Sequence, residues 1–332
     1  MKSLRLKPAL YSTRASGPPT IHGEFKPVLS AMTAVKYGLY VTLILGFIFG
    51  IAFPWLGLKS GSEPLLDKQP SRAFEDIVID SEGLRLEGWW MPATSPRAIV
   101  LFVHGAGSSR FSPFFNTLGF YDHLNSRGIS VLTFDQRNHG NSEYTDGYLR
   151  MGATEYRDLQ AANRWLQNRK SGDVPVIVCG LSMGGATAIY AIANGMSADG
   201  LLLFDPMLNT YDALAQGGYV GYGLPPALFK PMAWLAPRFW SLPKGENDAL
   251  RLGADLSLPI HIVQNKDDPI TRAVWSETLA KNNSSATLTY VPRIEPDHPC
   301  LADKGRWGTH ASSYHCHPEW TMAEVERLLS RL

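Results

Sequence analysis

The run PVIVCGLSMGGATAIYAIA places Ser182 at the crest of a turn, between five apolar residues of strand character and a stretch of small residues with helical spacing. A serine presented on so sharp a strand-to-helix bend has its hydroxyl free to act as a nucleophile. Gly180 and Gly184 on either side leave room for a strained backbone that bulkier neighbours would obstruct. The helix that follows would aim its amide dipoles at negative charge developing beside the hydroxyl. Such a hydroxyl needs a base to take its proton and an acid to orient the base. Two adjacent acids, Asp267 and Asp268, lie in QNKDDPIT after the apolar run IHIV, and four histidines, His298, His310, His315 and His317, follow the last apolar run, TLTYV.

These residues need a frame, and its pattern is readable from Phe74 onward. FEDIVID (74–80) and LRLEGWWM (84–91) alternate apolar and polar residues, which predicts an antiparallel edge hairpin with one wet face. AIVLFV (98–103), SVLTF (130–134), PVIVC (175–179), GLLLF (200–204) and IHIV (260–263) are almost continuously apolar, as strands buried on both faces are. Helical patterns between them, with Ala161, Ala162, Trp165 and Leu166 on one face of 154–169, predict a mostly parallel sheet with helices on both sides. The interval 207–257 breaks this alternation and is rich in Pro, Gly and aromatics, so it reads as a cap inserted over the C-terminal edge of the sheet. PEWTMAEVERLLSRL closes the chain as an amphipathic helix with Pro318 in its first turn.

Four motifs in this order resemble those of the α/β-hydrolase family, over roughly Phe74 to Leu332. LFVHGAGSS (101–109) is similar to the family's His-Gly oxyanion loop, FDQRNHGNS (134–142) to its D-x-R-G-H-G-x-S turn, GLSMGG to the nucleophile elbow and QNKDDPIT to the acid loop. Asn138 and Asn265 stand where the second and fourth motifs usually have glycine. The resemblance implies the chain order serine, acid, histidine. It favours Asp268, which precedes Pro269 and Ile270 as the family acid does, with Asp267 as the alternative. It favours His310 as base, because GTH, a short connection and a final helix look like the family's ending; His298, nearer the strand, is the alternative. The oxyanion hole would be the backbone amides of Ala106 and Met183.

The intervening stretch holds Cys300, His310, His315, Cys316 and His317, a grouping that fits no strong zinc template, so no metal is expected. A Cys300–Cys316 disulfide, permitted in an oxidising compartment, would pin the loop carrying His310. Cys179 reads as a small buried hydrophobe. With 31 basic and 30 acidic residues the chain has no global field to attract nucleic acid, and no nucleic-acid partner is expected.

Tyr37 to Leu58 is an uncharged run between Lys36 and Lys59, long enough to cross a bilayer as one helix. Lys2, Arg5, Lys7, Arg14, Lys26 and Lys36 precede it against the single acid Glu24, which predicts a cytoplasmic N-terminus (1–36) and a periplasmic or other extracytoplasmic catalytic domain. Residues 59–73 read as a tether to a domain at 74–332. The cap's aromatics, among them Tyr211, Phe229, Trp234 and Trp240, offer an apolar lining, and Leu228 to Trp240 is a candidate for contact with the bilayer.

Taken together, the residues and the resemblance imply a membrane-anchored serine hydrolase, without cofactor, that cleaves a carboxylic ester or thioester of a hydrophobic, lipid-like substrate through an acyl-enzyme. An acyltransferase using the same three groups, and a non-catalytic binding protein on this fold, are the alternatives. A peptidase reading would predict a large accessory domain ahead of the catalytic one, which 73 residues of anchor and tether do not supply.

Overall fold

The computed structural model describes residues 31–62, 65, 68–170, 172–245 and 248–332; most of the basic N-terminal segment lies outside them, as do Glu63, Pro64, Leu66 and Asp67 of the stretch read as a tether and Glu246 and Asn247 of the insertion. The chain divides into one unit, Met1–Leu43, and a second, Ile44–Leu332. Helix α1 (Ala31–Phe47) begins in the first, where Leu39, Tyr40, Val41 and Leu43 are exposed on all sides and Thr42 Oγ1 donates back to Gly38 O at 2.9 Å. The apolar stretch Met32–Gly57 is the one helix among the described residues long and apolar enough to cross a membrane.

In the second unit α1 passes through a π turn, Ile48–Ala52, into α2 (Phe53–Gly57). Beyond it the central sheet has eight strands in the order β1-β2-β4-β3-β5-β6-β7-β8. β1 (Glu75–Ser81), β2 (Leu84–Met91) and β4 (Ile129–Phe134) pair antiparallel in succession, and β3 (Ala98–Val103), β5 (Val176–Leu181), β6 (Gly200–Phe204), β7 (Ile260–Gln264) and β8 (Ala286–Tyr290) complete a parallel array with β4. The burial follows the sequence pattern: every residue of β3 to β7 is inside, whereas the edge strand β1 alternates.

Each face of the sheet has its own core. On one side α4 (Tyr156–Gln167), α5 (Met183–Ala193), α8 (Ala249–Ala254) and α9 (Ala273–Asn282) contribute Leu159, Ile189, Ala249 and Leu279. On the other, α3 (Thr117–Ser126), the short α10 (Ser313–Cys316) and α11 (Pro318–Leu329) cover an aromatic cluster in which Phe102 and Phe204 of the sheet meet Phe115 and Phe120 at centroid distances of 5.0 to 6.1 Å.

The segment between β6 and β7 supplies α6 (Thr210–Tyr222), a 3₁₀ turn and α7 (Lys230–Phe239) before α8 rejoins the sheet. These form a third apolar cluster around Leu214, Phe229, Met232 and Ala236, and Leu58 from the end of the N-terminal helix is buried within it. Ser60 and Ser62, in the stretch read as a tether, are bonded into the same unit: Ser60 N donates to Gly147 O at 2.9 Å, and Ser62 Oγ donates to Ser108 O at 2.7 Å.

Candidate active site

Ser182 sits between β5 and α5 with φ +55° and ψ −119°, a conformation that costs a non-glycine residue about 1–3 kcal/mol. Surrounding contacts hold it there. Ser182 N donates to Phe204 O, and Ser182 O accepts from Gly185 N and Met207 N, all at 2.9 to 3.0 Å. The flanking glycines are a steric requirement: a Cβ on Gly184 would stand 2.1 Å from Val103 O, and one on Gly180 would stand 2.6 Å from Gly184 O.

His310, from the loop after β8, reaches Ser182 Oγ with Nε2 at 3.0 Å, while its Nδ1 lies 2.7 Å from Asp268 Oδ2. Since a carboxylate only accepts, Nδ1 carries the proton and donates to Asp268, which leaves Nε2 to accept the serine O–H. Asp268 is fixed in turn by the amides of Ile270 and Thr271 and by Thr271 Oγ1 at 2.7 to 2.9 Å. Burial alone would depress the imidazole pKa; the charge and hydrogen bond of Asp268 outweigh it and hold His310 above its ordinary value. The arrangement can therefore draw a proton from the serine and keep the resulting imidazolium paired. Asp267 is exposed, and His298 is exposed too, accepting the Cys300 amide at 3.2 Å; neither reaches Ser182.

Two groups beneath this chain carry no motif. Asp205, at the end of β6 with φ +43°, is fully buried and accepts from Asn265 N, Asn265 Nδ2 and Ala311 N at 2.6 to 3.0 Å. Burial and the nearby Asp268 push its carboxyl upward. Asn265, standing where family members have glycine, thus has a dedicated partner. Lys304 donates from Nζ to the carbonyls of His310 and Ala311 at 2.8 and 3.1 Å. Its burial lowers the ammonium to about 7, against the pull of Asp205 and Asp268. A carboxylate at the end of an apolar strand and a lysine near a histidine were the only sequence signals for this support. Cys300 and Cys316 are joined in a disulfide that fastens the same loop, and Arg306 ties it to α6 by donating to Val220 O and Gly221 O. The grouping of His298 with Cys300 and Cys316 consequently offers no thiolate to a metal, and Asp205, Asp268 and His310 have their facing atoms committed to hydrogen bonds.

The loop after β3 is held from behind. His104 Nε2 accepts Gln136 N at 3.0 Å, so its Nδ1 proton goes to Gly105 O at 2.8 Å; burial pushes this imidazole well below its ordinary pKa. The loop packs so tightly that a Cβ on Gly105 would lie 3.1 Å from Ser182 Cβ. Ala106 and Met183 line a cavity of about 610 Å³ together with Ser182 and His310. The D-Q-R-N-H-G turn that supports this loop is built on two buried pairs, Arg110–Asp135 and Arg137–Asp158, each 2.7 Å. Asn138 takes φ +64° in place of glycine and uses its side chain to bond Thr145 N, Gly147 N and Tyr148 O.

Residues 94–244 match the family described as "Serine aminopeptidase, S33". An esterase of Pyrococcus furiosus superposes with a TM-score of 0.65 over 81% of this chain and 97% of its own, at 22% identity. The chain has the α/β-hydrolase fold. Curated relatives include an uncharacterised protein of Mycobacterium tuberculosis, 27% identical over 83% of this chain and 90% of the relative. The monoglyceride lipase of Mus musculus is 30% identical over a shorter stretch, 41% of this chain and 44% of the lipase.

Proposed function

We propose that this hydrolase is a serine esterase that cleaves carboxylic esters, or thioesters, of a hydrophobic acyl group. The observation that carries the reading is the succession Ser182 Oγ, His310 Nε2, His310 Nδ1 and Asp268 Oδ2, in steps of 3.0 and 2.7 Å, opening onto an apolar cavity. Ser182 attacks the carbonyl carbon as His310 takes its proton, and Asp268 stabilises the imidazolium. The amides of Met183 and Ala106 receive the oxyanion. His310 then protonates the departing alcohol or thiol, and water, activated by the same imidazole, releases the acid. The chemistry needs no cofactor.

The cavity distinguishes this reading from the peptidase activity in the family's description. An aminopeptidase must hold a cationic amino terminus, yet among the described residues lining the cavity there is no Asp or Glu; the lining is dominated by side chains such as Phe53, Leu58, Leu214, Phe229, Met232 and Ile270. The apolar helix supports a single-pass anchor, and the disulfide fits a catalytic domain on the extracytoplasmic side, where thiols oxidise.

Labelling with a fluorophosphonate probe tests the assignment. Adduct should form with the parent and with His298→Ala, disappear in Ser182→Ala and fall steeply in His310→Ala. Full-rate labelling of Ser182→Ala would end the proposal.

A further inference from the structure

We infer that Gly57, at the foot of the apolar N-terminal helix, is a specificity-determining residue: the segment read as the anchor forms a wall of the acyl cavity and sets the acyl length admitted. The inference rests on the esterase reading and goes beyond it, since the motifs of the fold contain no such wall.

Phe53, Pro54, Gly57 and Leu58 line the same cavity as Ser182 and His310. Their position is built in. Leu58 is 2% exposed, packed with Leu214, Phe229 and Met232, and its carbonyl accepts from Leu149 N at 2.7 Å. The Phe53 ring meets Phe229 at 6.0 Å and Tyr222 at 6.3 Å. One turn earlier Gly50 O stands opposite Pro54, which has no N–H to donate along the helix, and Trp240 Nε1 donates to that carbonyl at 3.1 Å. The helix end is thus locked against α6 and α7 by packing and by a hydrogen bond.

Glycine is a poor helix former, and at position 57 the backbone does not require it, because φ there is not positive. Nor does crowding require it. A Cβ at Gly57 would meet nothing within 4 Å, as at Gly217 and Gly221 of α6, which line the same cavity. Gly218 makes the contrast: a Cβ there would stand 2.2 Å from Phe229. Gly57 is exposed at the cavity's lining, and the missing side chain there leaves open space that a larger residue could extend across. A methyl group there displaces no protein atom.

The test uses the full chain in detergent micelles with p-nitrophenyl acetate, butyrate, octanoate and palmitate. Gly57→Phe should lower kcat/KM for palmitate at least tenfold while acetate stays within threefold, and Gly57→Ala should shift the profile the same way, less far. Gly46→Phe, on the same helix but away from the cavity, should leave the profile unchanged. A Gly57→Phe profile parallel to the parent's, or a shift equally large in Gly46→Phe, would overturn the inference. Should Gly57→Phe lose fluorophosphonate labelling altogether, Gly57→Ala decides: a flat change across chain lengths refutes the wall. Parallel assays of Ser182→Ala separate the two levels. A parent that hydrolyses none of the esters, or a Ser182→Ala variant that hydrolyses them as the parent does, defeats the esterase reading itself; a Ser182-dependent activity with a profile blind to Gly57 defeats only this inference.

Discussion

The two regions that meet at the Ser182 hydroxyl are held by opposite means. The serine stands on a bend whose shape is imposed by close steric packing: a Cβ on Gly180 or Gly184 would collide with the backbone of Gly184 or Val103, and the buried strands β5 and β6 flank the bend. The imidazole stands on a loop with little regular structure, positioned by separate bonds and ties to Asp268, Asp205, Lys304, Arg306 and the Cys300–Cys316 bridge. A Cβ on Gly184 would stand 2.1 Å from Val103 O, which leaves one region no tolerance, whereas the other divides its restraint among several bonds, each removable alone. The first should break all at once and the second by degrees.

The largest effects belong to the chemistry. Ser182→Ala and His310→Ala are each expected to lower kcat for a chromogenic ester about 10⁴-fold or more, measured under saturating substrate. Gly184→Ala should be nearly as damaging to yield of folded protein, because a methyl group 2.1 Å from Val103 O forces the strand and helix apart; soluble expression and thermal melting would reveal it. Normal melting in that variant would contradict the rigid half of the comparison.

On the loop side, Lys304→Met removes the bonds to two carbonyls and should reduce kcat about 10- to 100-fold by loosening His310. Its pH profile distinguishes positioning from a loss of fold. Only neutral His310 can accept the serine proton, so kcat/KM should rise with pH through an apparent pKa above the ordinary imidazole value. Lys304 opposes protonation of His310, so without its charge that limb moves to higher pH; Asp205→Asn, which removes a negative neighbour, moves it to lower pH. Limbs that shift in the same direction would refute this electrostatic account.

Opening the disulfide should cost about 3 kcal/mol of stability, from the lost constraint on a loop of this size, with a smaller effect on kcat; denaturant melts of Cys300→Ala/Cys316→Ala against the parent measure it. The smallest change is expected in Asp267→Asn, which alters an exposed loop carboxylate and should leave kcat/KM within twofold.

The same contrast governs how much was legible in the sequence. Runs buried on both faces announce themselves as unbroken apolar stretches, so β3 to β7 and the elbow could be read locally, and the alternation of FEDIVID marked β1. The acid loop was read by the D-P-I that follows Asp268. By contrast Asp205 and Lys304 act across 106 and 6 residues respectively, and no period or spacing joins them to His310. The insertion was recognisable as a break in rhythm, but that Leu58 would be buried in its core was not, because an apolar residue at the end of an apolar helix looks the same whether it faces lipid or protein. In the stretch read as a tether, Ser60 and Ser62 are polar and aperiodic, and their partners, Gly147 O and Ser108 O, lie far along the chain where no local pattern announces them.

The burial of Leu58 beside Phe229 and Met232 bears on how this protein is handled. With α1 as the proposed anchor, its exposed apolar surface calls for a surfactant on extraction, and a single-tailed surfactant has the size and amphiphilicity of the ester proposed for the cavity. The solubilising agent then competes for the site it helps to preserve: apparent KM should climb with micelle concentration, and short-headgroup, bulky-tailed agents or nanodiscs should give the lowest values.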